Sequence, residues 1–179
     1  MGDNDGISAS AGSSGDGSSP PGSCAAADRP LRVDFYVMEG AAAAARLTVA
    51  CRLAEKAWLA AQRALIWHTD RAELEALDEL LWTFADGSFV PHDWLTSNER
   101  PAGEPPAQAP VLLSAGCPPE AVFDFVINLA ADPPPFLHRA RRVAEIIDGD
   151  EGRRRAGRAR FRAYRELGIE PATPTLRTE

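Results

Sequence analysis

Arginine is concentrated near the end of the chain, in Glu151-Gly-Arg-Arg-Arg-Ala-Gly-Arg-Ala-Arg-Phe-Arg-Ala-Tyr-Arg-Glu166, and its spacing carries a chemical meaning. On a helical wheel of about 3.6 residues per turn centred on Arg158, the residues Arg154, Arg155, Phe161, Arg162 and Arg165 fall within roughly sixty degrees on either side. Like charges at i and i+4 repel by roughly a few tenths of a kcal/mol per pair, so Arg154, Arg158 and Arg162 cost helix stability unless an anion sits on them. Guanidinium forks bind carboxylates and phosphates at two points, and the Phe161 ring among them offers an apolar seat for a ligand side chain. The face therefore reads as an anion receptor. The competing reading is a solvated basic surface whose arginines pair with Glu151, Glu166 or the C-terminal carboxylate.

Other groups able to do chemistry are scattered. His68 ends an apolar run, His92 lies in a loop and His138 sits beside Arg139, each away from a Ser, Cys or Asp pattern that would form a triad. Asp78 and Glu79 are adjacent on a helix and point about a hundred degrees apart, so they do not share a substrate. Cys24, Cys51 and Cys117 are odd in number, widely spaced and without a C-x-x-C pair or histidines at metal-ligand spacing. No metal or cofactor is expected. The turn Met38-Glu-Gly-Ala-Ala-Ala43 has one glycine and neither phosphate-binding pattern of α/β nucleotide enzymes.

The elements that must hold the arginine helix alternate between strand and helix. Val33, Phe35 and Val37 alternate with Asp34 and Tyr36 in a first strand, and a helix from Ala43 to Ala61 follows, with Leu47, Ala50, Cys51, Ala54, Ala57 and Trp58 at helical spacing. Ala64-Leu-Ile-Trp67 is a short strand. Asp70-Arg-Ala-Glu73 has the form of a capping box, opening a helix with Leu74, Leu77, Leu81 and Trp82. Asn98 to Pro110 reads as a surface loop, then Pro110–Leu113, Ala121–Leu129 and, more weakly, Arg142–Ile147 as strands. The arginine helix, capped by Asp148 or Asp150, runs from Gly152 to Leu167 and stops at Gly168, packing through Ala156, Ala159 and Ala163. The expectation is a single three-layer α/β/α domain over 31–170 with a mostly parallel central sheet. Residues 1–30, rich in Gly, Ser and Asp, read as a disordered tail, and 171–179 as a second short tail.

The net charge of −7 leaves nucleic-acid or carboxylate binding to a local patch. There is neither a signal-peptide pattern nor an apolar run of membrane-spanning length, so a cytoplasmic protein away from the membrane is expected.

The segments Val33-Asp-Phe-Tyr-Val37, Ala50-Cys-Arg-Leu-Ala-Glu-Lys-Ala57, Leu77-Asp-Glu-Leu-Leu-Trp82, Ser88-Phe-Val-Pro-His92, Ala109-Pro-Val111 and Arg160-Phe-Arg-Ala-Tyr-Arg-Glu-Leu-Gly168 resemble, in order and spacing, the chi subunits of bacterial DNA polymerase III holoenzyme. The resemblance spans about 32–170. It implies a non-catalytic accessory subunit of the clamp-loader assembly. Its last helix would receive the acidic C-terminal tail of single-stranded-DNA-binding protein on Arg158, Phe161 and Arg162, with Arg154 and Arg165 flanking. DNA would then be reached indirectly. The resemblance further implies that Trp82, Phe89, Pro91 and His92 meet the psi subunit or an accessory helicase, whereas packing alone also allows Trp82 a core role. The alternative from residue chemistry is direct single-stranded nucleic-acid binding, the arginines following a backbone while Phe161 stacks a base.

Overall fold

The computed structural model describes residues 30–39, 42–95, 109–116, 118 and 121–174. The expected N-terminal tail up to 29, most of the expected loop 98–110, Cys24 and Cys117 lie outside these residues. Among these described residues nine regular elements follow in order: β1 (Arg32–Val37), α1 (Ala43–Leu59), β2 (Ala64–Trp67), α2 (Arg71–Thr83), β3 (His92–Trp94), β4 (Val111–Ser114), β5 (Phe125–Asn128), β6 (Arg142–Ile147) and α3 (Glu151–Glu166). A 3₁₀ turn, Leu137–Arg139, leads into β6.

The strands form one six-stranded sheet in the order β1-β6-β5-β2-β4-β3, every pairing parallel. Parallel sheets need cover on both faces, and β2, β4 and β5 are accordingly buried throughout. Ala50, Cys51, Ala54 and Ala57 of α1 and Leu74, Leu77 and Leu81 of α2 pack with Ile66, Leu113 and Ile127 on one face. Tyr164 of α3 packs with Phe136, Val33, Phe35, Leu65 and Val143 on the other. This is the expected three-layer α/β/α domain with a central sheet.

Two local expectations need correction. Asp34 does not face solvent: it is fully buried and held by Arg32 Nε at 2.9 Å and Arg142 Nε at 2.6 Å, because the second face of β1 is also covered. His92 is not in a loop but opens the edge strand β3, in register with Val111 of β4. The weakest strand of the sequence, β6, lies inside the sheet between β1 and β5. Arg142 and Glu145 broke its apolar run, and both turn out to be paired within the fold. At the far edge, Ala172 exchanges backbone hydrogen bonds with Val33 and Phe35, so the chain after α3 returns to cover part of β1.

Candidate functional site

The position of α3 is fixed by polar groups the sheet presents to it. Asp150 caps the helix, its carboxylate accepting from Arg153 N at 2.9 Å. The buried Asp148 carboxylate accepts two 2.8 Å hydrogen bonds from Arg153 Nε and Nη2. Burial works against ionisation of Asp148, but the Arg153 fork and the Asp150 amide outweigh it and hold its carboxyl below the usual range. In turn the Asp148 hydrogen bonds push the Arg153 pKa up.

The buried face of α3 is not the expected alanine face. Gly157, Arg160 and Tyr164 are buried, whereas Ala156 and Ala163 are half-buried and Ala159 is exposed. The reason lies in β6. Glu145 is completely buried, and it accepts from Arg160 Nε at 2.7 Å, Tyr164 Oη at 2.6 Å and Asn128 Nδ2 at 2.9 Å. A buried carboxylate without a cation is very costly, so an arginine had to turn inward. Burial raises the Glu145 pKa against these three donors, and burial together with Glu145 pushes the Tyr164 phenol far up. Helix and sheet also approach closely at Gly157, where a Cβ would lie 2.6 Å from Ile147 Cδ1. The helix stops where expected, with Gly168 at φ +78°.

Between α3, β1 and the returning chain lies a cleft of about 380 Å³. Phe35, Val37, Ile147, Gly157 and Phe161 form its apolar wall, Thr173 one rim, and Arg154 and Arg158 stand over it. The Phe161 ring is half-buried, edge-on to Phe35 with centroids 5.2 Å apart. Arg154 donates from Nε to the Asp148 carbonyl at 3.2 Å, while Arg158 has no ion-pair partner among the described residues. Of the arginine face, then, Arg154, Arg158 and Phe161 meet at the cleft. Arg162 is exposed outside its lining, and Arg165 faces Glu170 at 3.6 Å. Sequence reading missed Phe35, Val37 and Ile147; the alternation of β1, which puts positions 33, 35 and 37 on one face, was the signal available.

The second predicted group also assembles. Trp82 is 43% and Phe89 59% exposed, their ring centroids 4.6 Å apart. His92 packs 4.7 Å from the Trp82 ring, but its own side chain is buried, hydrogen-bonded to the Val90 carbonyl at 2.7 Å. Its Nε2 lies 3.3 Å from Asp78 Oδ1, outside hydrogen-bond geometry. His92 thus supports the patch from beneath. Pro91 is half-buried beside it. Trp82 is thus a surface residue and not part of the core that closes the sheet.

His68, Asp70, Glu73 and Cys51 make contacts within the fold. The Asp70 carboxylate accepts from Ala72 N at 2.9 Å, yet Glu73 does not complete the capping box. The Asp70 amide donates instead to His68 Nδ1 at 2.7 Å, and Glu73 meets Arg46 Nη1 at 3.0 Å. Cys51 is buried in the α1 interface, where desolvation pushes its thiol up to about 12. Among the described residues no group of His, Cys, Asp and Glu is placed to hold a metal, and no helix is long and apolar enough to cross a membrane.

A parallel α/β domain that turns an arginine-rimmed apolar cleft and an aromatic patch outward is a three-layer α/β protein with two candidate contact surfaces. The description "DNA polymerase III chi subunit, HolC" matches residues 31–172. The chain belongs to this chi family, and so to the subunits of a replicative DNA polymerase. The chi subunit of Pseudomonas aeruginosa is 42% identical over 137 residues, covering 76% of this chain and 91% of that one. The chi subunit of Escherichia coli K12 is 28% identical over 127 residues, covering 70% and 82%. In fold alone, the chain is similar to T4 UvsW, with TM-score 0.59 and 9% identity over 82% of this chain and 41% of that one.

Proposed function

We propose that this chi-family chain is a non-catalytic adaptor of the DNA polymerase III clamp-loader assembly, joining it to single-stranded-DNA-binding protein by taking that protein's acidic C-terminal tail into the α3 cleft. The observation that carries the reading is the coincidence, in one cleft, of an apolar floor of Phe35, Ile147 and Phe161 with the guanidinium groups of Arg154 and Arg158. A tail with carboxylates along its length, an apolar final side chain and a free terminal carboxylate matches both parts. Such a small, charge-dominated contact corresponds to roughly −8 kcal/mol, a micromolar affinity that falls as salt rises. Many tails on one coated strand then add avidity and keep the polymerase at its template.

The Trp82 and Phe89 patch is the surface for the second partner, psi or an accessory helicase. Exposed aromatic pairs of this kind anchor protein interfaces. DNA is approached through the partners, in the cytoplasm where the chromosome is copied. Among the described residues, direct single-strand binding has the half-buried Phe161 as its one accessible stacking ring beside the arginines, Phe35 being buried. Calorimetric titration with an acidic peptide ending in Phe, and separately with an oligonucleotide, distinguishes the two. Tighter binding of the oligonucleotide at moderate salt would overturn the adaptor reading.

A further inference from the structure

The face of α2 turned toward the edge strand β3 is one strip whose two ends differ in chemistry. At one end stands the exposed pair Trp82 and Phe89, ring centroids 4.6 Å apart. Beside it, between α2 and β3, runs an open groove of about 520 Å³ walled by Arg71, Glu75, Asp78, Glu79 and Trp94. Glu75, Asp78, Glu79 and Trp82 follow one another along α2 at the spacing that places side chains on a common face. His92 of β3 joins the two ends from beneath, its ring 4.7 Å from that of Trp82 and its Nε2 3.3 Å from Asp78 Oδ1. Groove and aromatic pair form a continuous surface.

The charge of the groove decides which partner suits that surface. Its cation, Arg71, is already engaged: Nε donates to Glu75 Oε1 at 2.9 Å, and the guanidinium lies over the Trp94 ring, 5.3 Å from the centroid. The half-buried Asp78 and the exposed Glu79 have no lysine or arginine partner among the described residues. A nucleic-acid backbone or an acidic segment would be repelled by these carboxylates, whereas an incoming lysine or arginine would pair with them. Arg71 shows within the chain what the groove accommodates, a guanidinium between a carboxylate and an indole face. Along the helix axis the acidic positions lie roughly 5–10 Å from Trp82, within reach of neighbouring side chains on a single peptide segment.

We propose that this strip docks a segment of a partner protein in which an apolar anchor, seated on Trp82 and Phe89, is flanked by lysine or arginine side chains that reach Asp78 and Glu79. This rests on the reading of Trp82 and Phe89 as a partner surface and adds the partner's charge to it. The chain then meets its two partners with opposite signs, an acidic segment at α3 and a basic one at α2, and each surface repels the segment meant for the other.

The test pans a random peptide library on the full chain and keeps the clones that Phe89→Ala no longer retains. The expected clones combine an aromatic or aliphatic anchor with lysine or arginine. The most enriched one, titrated calorimetrically as a blocked synthetic peptide, should lose affinity at least about fivefold on Glu79→Lys and weaken as salt rises. Glu166→Lys, the same charge change at an exposed position on α3, should leave it unaffected. Should Glu79→Lys disturb folding, Asp78→Asn paired with Glu79→Gln removes both charges with little change of shape. Retained clones that are neutral or acidic, or that bind the Glu79 variants undiminished, would overturn the basic partner and leave the aromatic surface standing. Equal loss on Glu166→Lys would overturn it too, as diffuse charge. Absence of any clone dependent on Phe89 would overturn the aromatic surface itself. Sedimentation of the chain alone covers the remaining occupant: a dimer that Phe89→Ala dissolves would assign the strip to a second copy and overturn the proposal.

Discussion

Arg160 of α3 donates from Nε to Glu145 Oε2 of β6 at 2.7 Å, both side chains being almost wholly removed from solvent. This pair joins the helix bearing the proposed cleft to the middle of the sheet, with Tyr164 and Asn128 completing the coordination of the carboxylate. Arg160→Met leaves Glu145 buried without its cation and is expected to cost about 3–5 kcal/mol in urea denaturation. Adding Glu145→Gln to that variant should recover a large part of the loss. No recovery would mean that Arg160 stabilises the fold through packing and its bond to the Ala131 carbonyl instead.

The same pair marks where sequence reading reaches its limit. Alternation in β1, helical spacing in α1 and α2, and the stop at Gly168 depend on local apolar pattern, and each was legible. Arg160 was not, because an arginine in an arginine-rich helix reads as a surface residue until a buried carboxylate from another element is known to need it. Asp34 is buried for a non-local reason too, since Arg142 of β6 supplies its cation. In the cleft, Arg154, Arg158 and Phe161 followed from one helical wheel, whereas Val37, Ile147 and Thr173 join them only through sheet order and the return of the chain along β1.

Gly157 sets the distance between α3 and β6. A Cβ there would press 2.6 Å from Ile147 Cδ1, so Gly157→Ala should destabilise the chain by about 1–3 kcal/mol through overpacking, despite the better helix propensity of alanine. Ile147→Val removes the atom that clashes, and the double variant should regain stability relative to Gly157→Ala alone. Thermal unfolding of the four proteins forms the cycle; additive losses would show that the two positions do not press on each other.

The Asp148 and Arg153 contact predicts a pH dependence. The folded pKa of Asp148 lies below its ordinary value, so its contribution is fully present above the unfolded carboxyl's pKa and is lost as pH falls through the folded one. Asp148→Asn should cost about 1–3 kcal/mol at neutral pH, and the gap from the unsubstituted chain should close on acidification below the usual carboxylate range. Urea denaturation across an acid pH series reads this directly. A gap that stays constant would assign the role to packing and not to charge.

The aromatic patch and the cleft use different residues, which permits separate disruption. Phe89→Ala removes an exposed ring that contacts Trp82, so stability should change little, while capture of psi or of a helicase should weaken by about 2 kcal/mol or more if this ring is a hot spot. Binding of the acidic peptide should be unchanged. Joint loss of both activities, accompanied by a lower unfolding temperature, would place Phe89 in the fold and not in an interface.

Within the arginine face itself, position relative to the cleft should decide energetic weight. Arg158 stands over the apolar floor with no ion-pair partner among the described residues, whereas Arg165 is turned toward Glu170 outside the lining. Arg158→Ala is therefore expected to lower affinity for an acidic peptide ending in Phe by about 1–3 kcal/mol, the range of a charge-assisted hydrogen bond. Arg165→Ala should cost less than about 0.5 kcal/mol, through long-range attraction that salt screens away. Calorimetry at two salt concentrations separates these terms, because the Arg158 loss should persist at high salt and the Arg165 loss should vanish. Equal losses at both positions would mean that the peptide is held by the diffuse charge of α3 and that the cleft plays no part.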